Sequence, residues 1–160
     1  MTSDPIIFFI DTAYDRKSWH GTNLRGSIRG TTARQAAWRP SATRHNIWEL
    51  VVHCAYWKYT ALRRLSEAPR GSFSLKGSNW FERRDQRDDR AWRADVALLD
   101  RTHREFRAAV AALPPTALRQ TPRGSKVSNF ALLSGVAAHD LYHAGQIQLL
   151  KRLFEDRSSS

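Results

Sequence analysis

The chain has 160 residues, of which 41% are hydrophobic and 11% aromatic, and its formal net charge at pH 7 is +11. This composition excludes a disordered chain, and the length suits one domain that can bury a core. The single cysteine excludes an intrachain disulfide, and no apolar run approaches the ~18 residues of a membrane span, so we expect a cytoplasmic protein with no membrane partner.

The positive charge is dispersed. Arginine supplies most of the 26 basic residues, and the arginines occur along the whole chain without forming one stripe. A nucleic-acid-binding domain usually gathers such charge on one face, whereas dispersed charge is typical of a solvated basic surface. Nucleic acid is therefore not the expected partner, despite the net charge of +11.

The N-terminal segment from Pro5 to about Arg29 predicts a kinked first helix or two short helices. Its apolar residues recur at helical spacing: Ile6, Phe9, Ile10, Ala13 and Tyr14. Gly21 is a candidate end for the first part, and Thr22 a candidate cap for the second. A short helical piece around residues 33–38 precedes Pro40.

A second helix is predicted from Asn46 to about Glu67. Asn46 and Glu49 have the spacing of a capping box, and a wide apolar stripe follows. His53 lies at the edge of that stripe, which on its own is typical of a hydrogen-bonded core or boundary histidine. The neighbouring Cys54 is interpreted as a core residue and not as a thiolate.

Residues 69–88 predict a long loop rich in turn-forming residues. Four apolar residues are expected to hold this loop over a cavity: Phe73, Leu75, Trp80 and Phe81. A third helix is predicted from Asp89 to Leu113, with Pro114 ending it. His103 within it is interpreted as a solvated or boundary residue.

The fourth helix, from about Ser128 to Phe154, carries two histidines on its apolar stripe, His139 and His143. Residues four apart lie on the same helical face, so the two imidazoles can bind one divalent metal ion if a third ligand comes from elsewhere. A repacked pair of core histidines is the alternative. Four long helical segments predict an all-α protein, a four-helix bundle with site residues facing its interior.

Two segments together resemble the DinB/YfiT-like superfamily: Asn46–His53 and His139–Ile147. The stretches Trp19–Gly21 and Ala37–Pro40 and the region of Trp57 are also similar to that family. The resemblance covers about residues 5–154. It implies the DinB-like four-helix bundle fold. Together with the length and the patterns above, we expect a single helical domain over residues 1–160 with a kinked first helix and a long loop between the second and third helices.

The resemblance implies that His53, His139 and His143 bind one divalent metal ion, with zinc or nickel expected. Three nitrogen ligands leave at least one coordination position open. Glu49, Asp140 and Gln146 lie within helical reach of these histidines. They are candidates to hold the second ring nitrogen of a ligand.

The resemblance further implies a metal-dependent enzyme, thiol S-transferase-like or a hydrolase, that activates a thiol or water. The expected partners are a small-molecule substrate, a low-molecular-weight thiol and a second copy of the chain in a homodimer. Arg63, Arg64 or Arg83 is expected to attract an anionic thiol. Two alternatives remain open: a non-catalytic metal- or ligand-binding stress protein, and a basic nucleic-acid-binding module.

Overall fold

The computed structural model of the chain describes residues 5–69, 71, 73–83 and 88–157. Within these ranges the regular structure is helical, without a strand, which confirms the all-α prediction. The elements are α1 (Pro5–Tyr14), α2 (Leu24–Ser27), α3 (Ala33–Ala37), α4 (Ile47–Leu65), α5 (Asp89–Ala111), a 3-10 helix (Pro115–Arg119) and α6 (Asn129–Asp156). No helix among the described residues is both long and apolar enough to cross a bilayer.

The long helices begin where the capping residues predict. The Asn46 side chain accepts a hydrogen bond from the backbone N–H of Glu49 at the start of α4, and the Ser128 hydroxyl accepts one from the N–H of Ala131 at the start of α6. Each cap satisfies a backbone donor that has no partner within the helix. The predicted starts of α4 and α6 are therefore confirmed.

The first segment differs from a kinked helix. Helix α1 ends at Tyr14, and residues 15–23 separate it from α2. Asn23, and not Thr22, caps α2: its side chain accepts from the N–H of Gly26 and donates to the carbonyl of Arg16. Because these two bonds hold residue 23 outside a helix, the segment forms two short helices, the second of the two predicted alternatives.

The four long helices form a closed ring. Helix α1 packs on α6, α6 on α4, α4 on α5, and α5 on α1. The short helices cover two of the grooves, since α2 packs on α6 and α3 packs on α4 and α5. This arrangement is a four-helix bundle, as predicted.

The core consists of two hydrophobic clusters. One contains the first half of α4 and the second half of α6, together with α2 and α3. The other contains α1, the second half of α5 and the first half of α6. Three buried polar residues, Lys58, His103 and Asp140, lie at sequence positions between the clusters, and Tyr14 of the first cluster stacks on His103; we call these four residues the polar layer.

The loop between α4 and α5 is anchored at several points. Phe81 is buried in the first cluster, and Phe73 and Leu75 pack against it, as the sequence predicts. Arg83 binds Asp95 of α5, with 2.9 Å between Nε and Oδ2. These contacts position the preceding residues, Asn79 and Trp80, over the middle of α4.

Candidate metal centre

The structure brings together the three histidines that the sequence nominates. The Nε2 atom of His139 lies 3.1 Å from Nε2 of His53 and 3.0 Å from Nε2 of His143. One nitrogen from each of the three rings lies within 4.8 Å of the other two. Helix α4 supplies one imidazole and α6 the other two, so the site spans the α4–α6 packing surface.

Two of these imidazoles have a fixed tautomer. His53 Nδ1 is 2.8 Å from the carbonyl oxygen of Asn79, and His143 Nδ1 is 2.7 Å from Oε1 of Gln146. A carbonyl oxygen only accepts, so each Nδ1 carries its proton, and each Nε2 of a neutral ring presents a lone pair. Both lone pairs face Nε2 of His139, which has at most one proton to donate.

This donor set fits a metal ion better than it fits a hydrogen-bonded cluster. With metal–nitrogen bonds of about 2.0–2.1 Å, neighbouring nitrogens lie about 3.0 Å apart at right angles and about 3.4 Å apart in a tetrahedron. The observed separations of 3.0 and 3.1 Å fall in this range. One N–H of His139 cannot donate to the lone pairs of both His53 and His143 at once. A cation bound between the three rings would be contacted by both lone pairs.

Burial favours the neutral form of all three rings. It lowers the pKa of His53 to about 4 and that of His139 to about 3, and it also lowers the pKa of His143. The neighbouring histidines add to the effect on His53 and His139, because two positive rings at this distance repel. Neutral imidazole is the form that binds a metal ion.

Trp80 and Asn79 hold His53 from the loop side. The Trp80 indole stacks on the His53 ring, with 3.8 Å between centroids, and on the His45 ring, with 3.6 Å. Asn79 is in the left-handed region at φ 63°, and its side chain accepts a hydrogen bond from Trp57 Nε1 at 3.0 Å. Sequence reasoning placed Trp80 on a covering loop but missed Asn79; the available signal was an asparagine, which tolerates this conformation, in a turn-rich stretch.

The three residues predicted to support the ligands have different outcomes. Gln146 bonds His143 directly. Glu49 bonds Arg39, His45 and the backbone N–H of Arg83, while Asn79 takes the place beside His53. Burial raises the pKa of Glu49, but these three bonds outweigh burial and lower it. Glu49 therefore does not contact His53; it binds His45, which stacks on Trp80, and the backbone of Arg83 in the same loop.

Asp140 belongs to the polar layer, although one of its carboxylate oxygens, a ring nitrogen of His139 and Cys54 Sγ lie within 4.8 Å of one another. Its Oδ2 pairs with Nζ of Lys58, and each residue is only 1% exposed. Its Oδ1 has no hydrogen-bond partner among the described residues. Burial raises the pKa of Asp140 against the opposing effect of Lys58, and it raises that of Cys54 well above its usual value. Cys54 is thus a buried thiol, as interpreted from the sequence.

The remaining histidines and arginines lie elsewhere. His103 is buried and stacks on Tyr14 with 3.5 Å between ring centroids, so its interpretation as a solvated or boundary residue is wrong. Arg83 is occupied by Asp95. Arg63 and Arg64 line a different cavity and follow His53 by ten and eleven residues, roughly 15 Å along α4. None of these arginines is the free cation expected at the entrance of the site.

A cavity of about 600 Å³ adjoins the site on the α6 side. Its lining includes His143, Gln146 and Trp80 of the site, three leucines of α6, and Arg44 and His45. We call it the α6 cavity. Its volume is typical of a small-molecule site, and the His143 ring lies on its surface.

One comparison with known proteins identifies a family. The sequence model described as the DinB superfamily matches residues 18–147, which is most of the chain and includes all three histidines. No curated protein and no solved structure gives a significant match.

Proposed function

The chain belongs to the DinB superfamily, and on that premise we propose that it is a metal-dependent enzyme whose ion is held by His53, His139 and His143. The reaction we propose is transfer of a low-molecular-weight thiol to a small electrophilic substrate, with hydrolysis as the alternative reaction of the same site. A divalent metal ion, with zinc or nickel expected, supplies the Lewis acid that lowers the pKa of a thiol or water ligand.

One observation carries this proposal: two imidazole lone pairs, each fixed by a carbonyl acceptor on the opposite ring nitrogen, converge on a third imidazole. Hydrogen bonds from Nδ1 to Asn79 and Gln146 fix these rings. Such outer contacts orient ligands and raise their basicity. A purely structural histidine pair has no need for this convergence, because burying unsatisfied ring nitrogens costs free energy.

The other residues of the site have roles in access and binding. Trp80 covers one face of His53 and keeps water from that side. His143 forms part of the α6 cavity, so a substrate bound there lies beside the donor set. The three histidines leave at least one position free, and the cavity offers a route to it.

The test begins with metal binding. Chelator-treated protein is titrated with zinc and with nickel by calorimetry, and we expect one ion per chain. His143→Ala should weaken the affinity by at least about 100-fold, given that even outer-shell partners alone are worth 10–100-fold. His20→Ala is the matched control, since His20 is exposed and outside the cluster.

Turnover is measured next with the metal-loaded protein. Consumption of thiol in the presence of a panel of electrophiles is expected for wild type and His20→Ala and is expected to be lost in His143→Ala. Ester hydrolysis without thiol consumption would assign the site to the hydrolase reaction. Tight metal binding without either reaction would favour a non-catalytic metal-binding protein, and equal affinity of wild type and His143→Ala would overturn the metal site itself.

A further inference from the structure

The wall of the α6 cavity is apolar over an unusual length. From His143 the same face of α6 continues through Leu150 to Leu153, about 15 Å along the helix, and Leu149 lies beside it. Leu149 is 58% exposed and Leu153 39% exposed. The helix that supplies two candidate ligands therefore extends into an uncovered hydrocarbon surface that begins at one of them.

The charge on the cavity has one sign. Arg44 lines it, and no carboxylate is among the described residues that line it. Several other arginines are paired: Arg25, Arg39, Arg83 and Arg107 each bind an aspartate or glutamate. Arg44 has no acidic partner in the part of the chain that the structure describes.

Two acidic residues, Glu49 and Glu82, line an adjoining groove together with Arg44, and neither forms a salt bridge with Arg44 among the described residues. Glu49, which helps to line the adjoining groove, is bound by Arg39 and His45. The Arg44 guanidinium is therefore a cation without an acidic partner among the described residues, and it lines a largely apolar cavity. A guanidinium matches the planar geometry of a carboxylate, with which it forms two parallel hydrogen bonds.

We infer that the α6 cavity binds an amphipathic carboxylate, whose hydrocarbon part packs on Leu149 and Leu153 and whose carboxylate pairs with Arg44. This inference rests on the proposed function, because it identifies the substrate class of the same site: an organic anion with an apolar body that places its reacting carbon beside His143. A uniformly polar substrate would leave the leucine wall in contact with water and gain nothing from it.

The test uses octanoate as the probe, with octan-1-ol as its uncharged analogue and acetate as its short analogue. Binding to the full chain is measured by calorimetry, both metal-free and zinc-loaded. Octanoate is expected to bind at least tenfold more tightly than acetate, and Leu149→Asp should remove that difference. Phe130→Asp is the control, because Phe130 is 56% exposed on the same helix but outside the cavity.

The carboxylate contact is tested at Arg44. Arg44→Gln should weaken octanoate binding about tenfold and leave octan-1-ol binding unchanged, and Arg44→Lys should recover part of the loss. Arg93→Gln, at an exposed position of α5, should change neither. If Arg44→Gln has no effect while removal of zinc abolishes octanoate binding, the carboxylate binds the metal and the inferred pairing with Arg44 is overturned.

Two further outcomes distinguish ligand binding in the α6 cavity from dimerisation and from metal binding. If Leu149→Asp converts a dimer into a monomer in sedimentation and leaves octanoate affinity unchanged, the leucine face is a contact between two copies, and the inference is wrong. If zinc fails to bind but metal-free protein still distinguishes octanoate from acetate through Leu149 and Arg44, the proposed metal function fails and the binding site stands.

Discussion

The candidate metal centre and the Lys58–Asp140 pair of the polar layer lie on the same two helices, α4 and α6, and they bury polar groups in opposite ways. His53 is five residues before Lys58 on α4, and His139 is next to Asp140 on α6. Adjacent residues of a helix diverge by about 100°, so His139 joins the three-histidine cluster while Asp140 pairs with Lys58, although a His139 nitrogen and an Asp140 oxygen are still within 4.8 Å of each other. In the layer, Lys58 and Asp140 compensate each other. In the candidate metal centre, three imidazole rings converge, and they cannot satisfy one another's ring nitrogens with hydrogen bonds.

The difference shows how a buried polar group indicates function. A charge pair inside a protein is satisfied by its own members, although its desolvation makes it at best a weak source of stability. A set of like donors is not satisfied until a cation binds. The polar layer is therefore expected to determine whether the bundle folds, and the centre to determine what the bundle binds.

The largest expected effect is on the free energy of unfolding, and it comes from a substitution in the polar layer that leaves the three histidines unchanged. Lys58→Met leaves the Asp140 carboxylate buried without its partner, which should lower the free energy of unfolding by about 3–5 kcal/mol. Urea denaturation of the metal-free protein measures this. The double variant Lys58→Met/Asp140→Leu should recover most of the loss, because no charge then remains buried.

The zinc affinity of folded Lys58→Met should stay within a few-fold of wild type, measured at a temperature where the variant is native. A loss of zinc affinity as large as that of a histidine variant would contradict the separation of the two regions. The layer would then have to support the ligands directly, through Asp140 and its neighbour His139.

The next effect concerns the centre alone. Gln146→Leu removes the acceptor that fixes the His143 tautomer, so zinc affinity should fall 10–100-fold, about 1.4–2.7 kcal/mol of binding free energy. The unfolding free energy of the metal-free protein should change little, since the Gln146 side chain is only partly buried. Gln120→Leu, at an exposed position, is the control in the same titration. Unchanged zinc affinity in Gln146→Leu would show that this bond does not orient the ligand.

The smallest expected effect is on the pH dependence of stability, and it depends on the protonation of His103 in the polar layer. Burial, reinforced by the positive charges of Lys58, Arg107 and Arg104, lowers the pKa of His103 to about 2, whereas the unfolded chain has a value of about 6.5. The unfolded state therefore binds a proton below pH 6.5 that the native state does not. His103 contributes stability above about pH 6.5 and loses it as the pH falls, by at most about 1.4 kcal/mol per pH unit.

The measurement compares wild type with His103→Phe, which keeps a ring against Tyr14. Urea denaturation of both metal-free proteins between about pH 6.5 and 5 should show a steeper loss for wild type. Parallel pH dependence of the two proteins would mean that His103 is protonated in the native state. It would also remove the evidence that the layer excludes additional charge.

Local sequence signals predicted most of the fold. Asn46 and Ser128 begin α4 and α6 because their side chains cap the first turn, which depends only on neighbouring residues. The break after Tyr14 is compatible with two alternatives in the sequence, because it depends on where the Asn23 side chain bonds. Helix periodicity contains no information on that choice.

The three candidate ligand histidines could be found from the sequence, but the residues that bond to them could be found only in part. His139 and His143 are visible as an i,i+4 pair, while His53 needed the family resemblance to stand out from an ordinary boundary histidine. Gln146 was found because it is three residues from His143 on one helix. Asn79 was missed because its carbonyl reaches His53 across 26 positions of sequence, and a backbone acceptor in a loop has no residue-type signature.

The burial of His103 and Lys58 could not be predicted from the sequence either. A histidine flanked by arginines suggests a solvated face, and a lysine within an apolar helix suggests a side chain that reaches water. The structure buries both, because Asp140 and Tyr14 arrive from two other helices. Whether such a side chain is buried depends on a partner that is distant in the sequence. That partner can be identified only from the packing of the helices.

The most direct test of the central claim is to locate the ion. A crystal of the zinc-loaded protein, measured on both sides of the zinc absorption edge, should give one anomalous peak per chain, within about 2.0–2.1 Å of Nε2 of His53, His139 and His143. Two sites are available for comparison, because Cys54, His139 and Asp140 also form a group of ligand type. A peak at that second group, or none at the three histidines, would contradict the account.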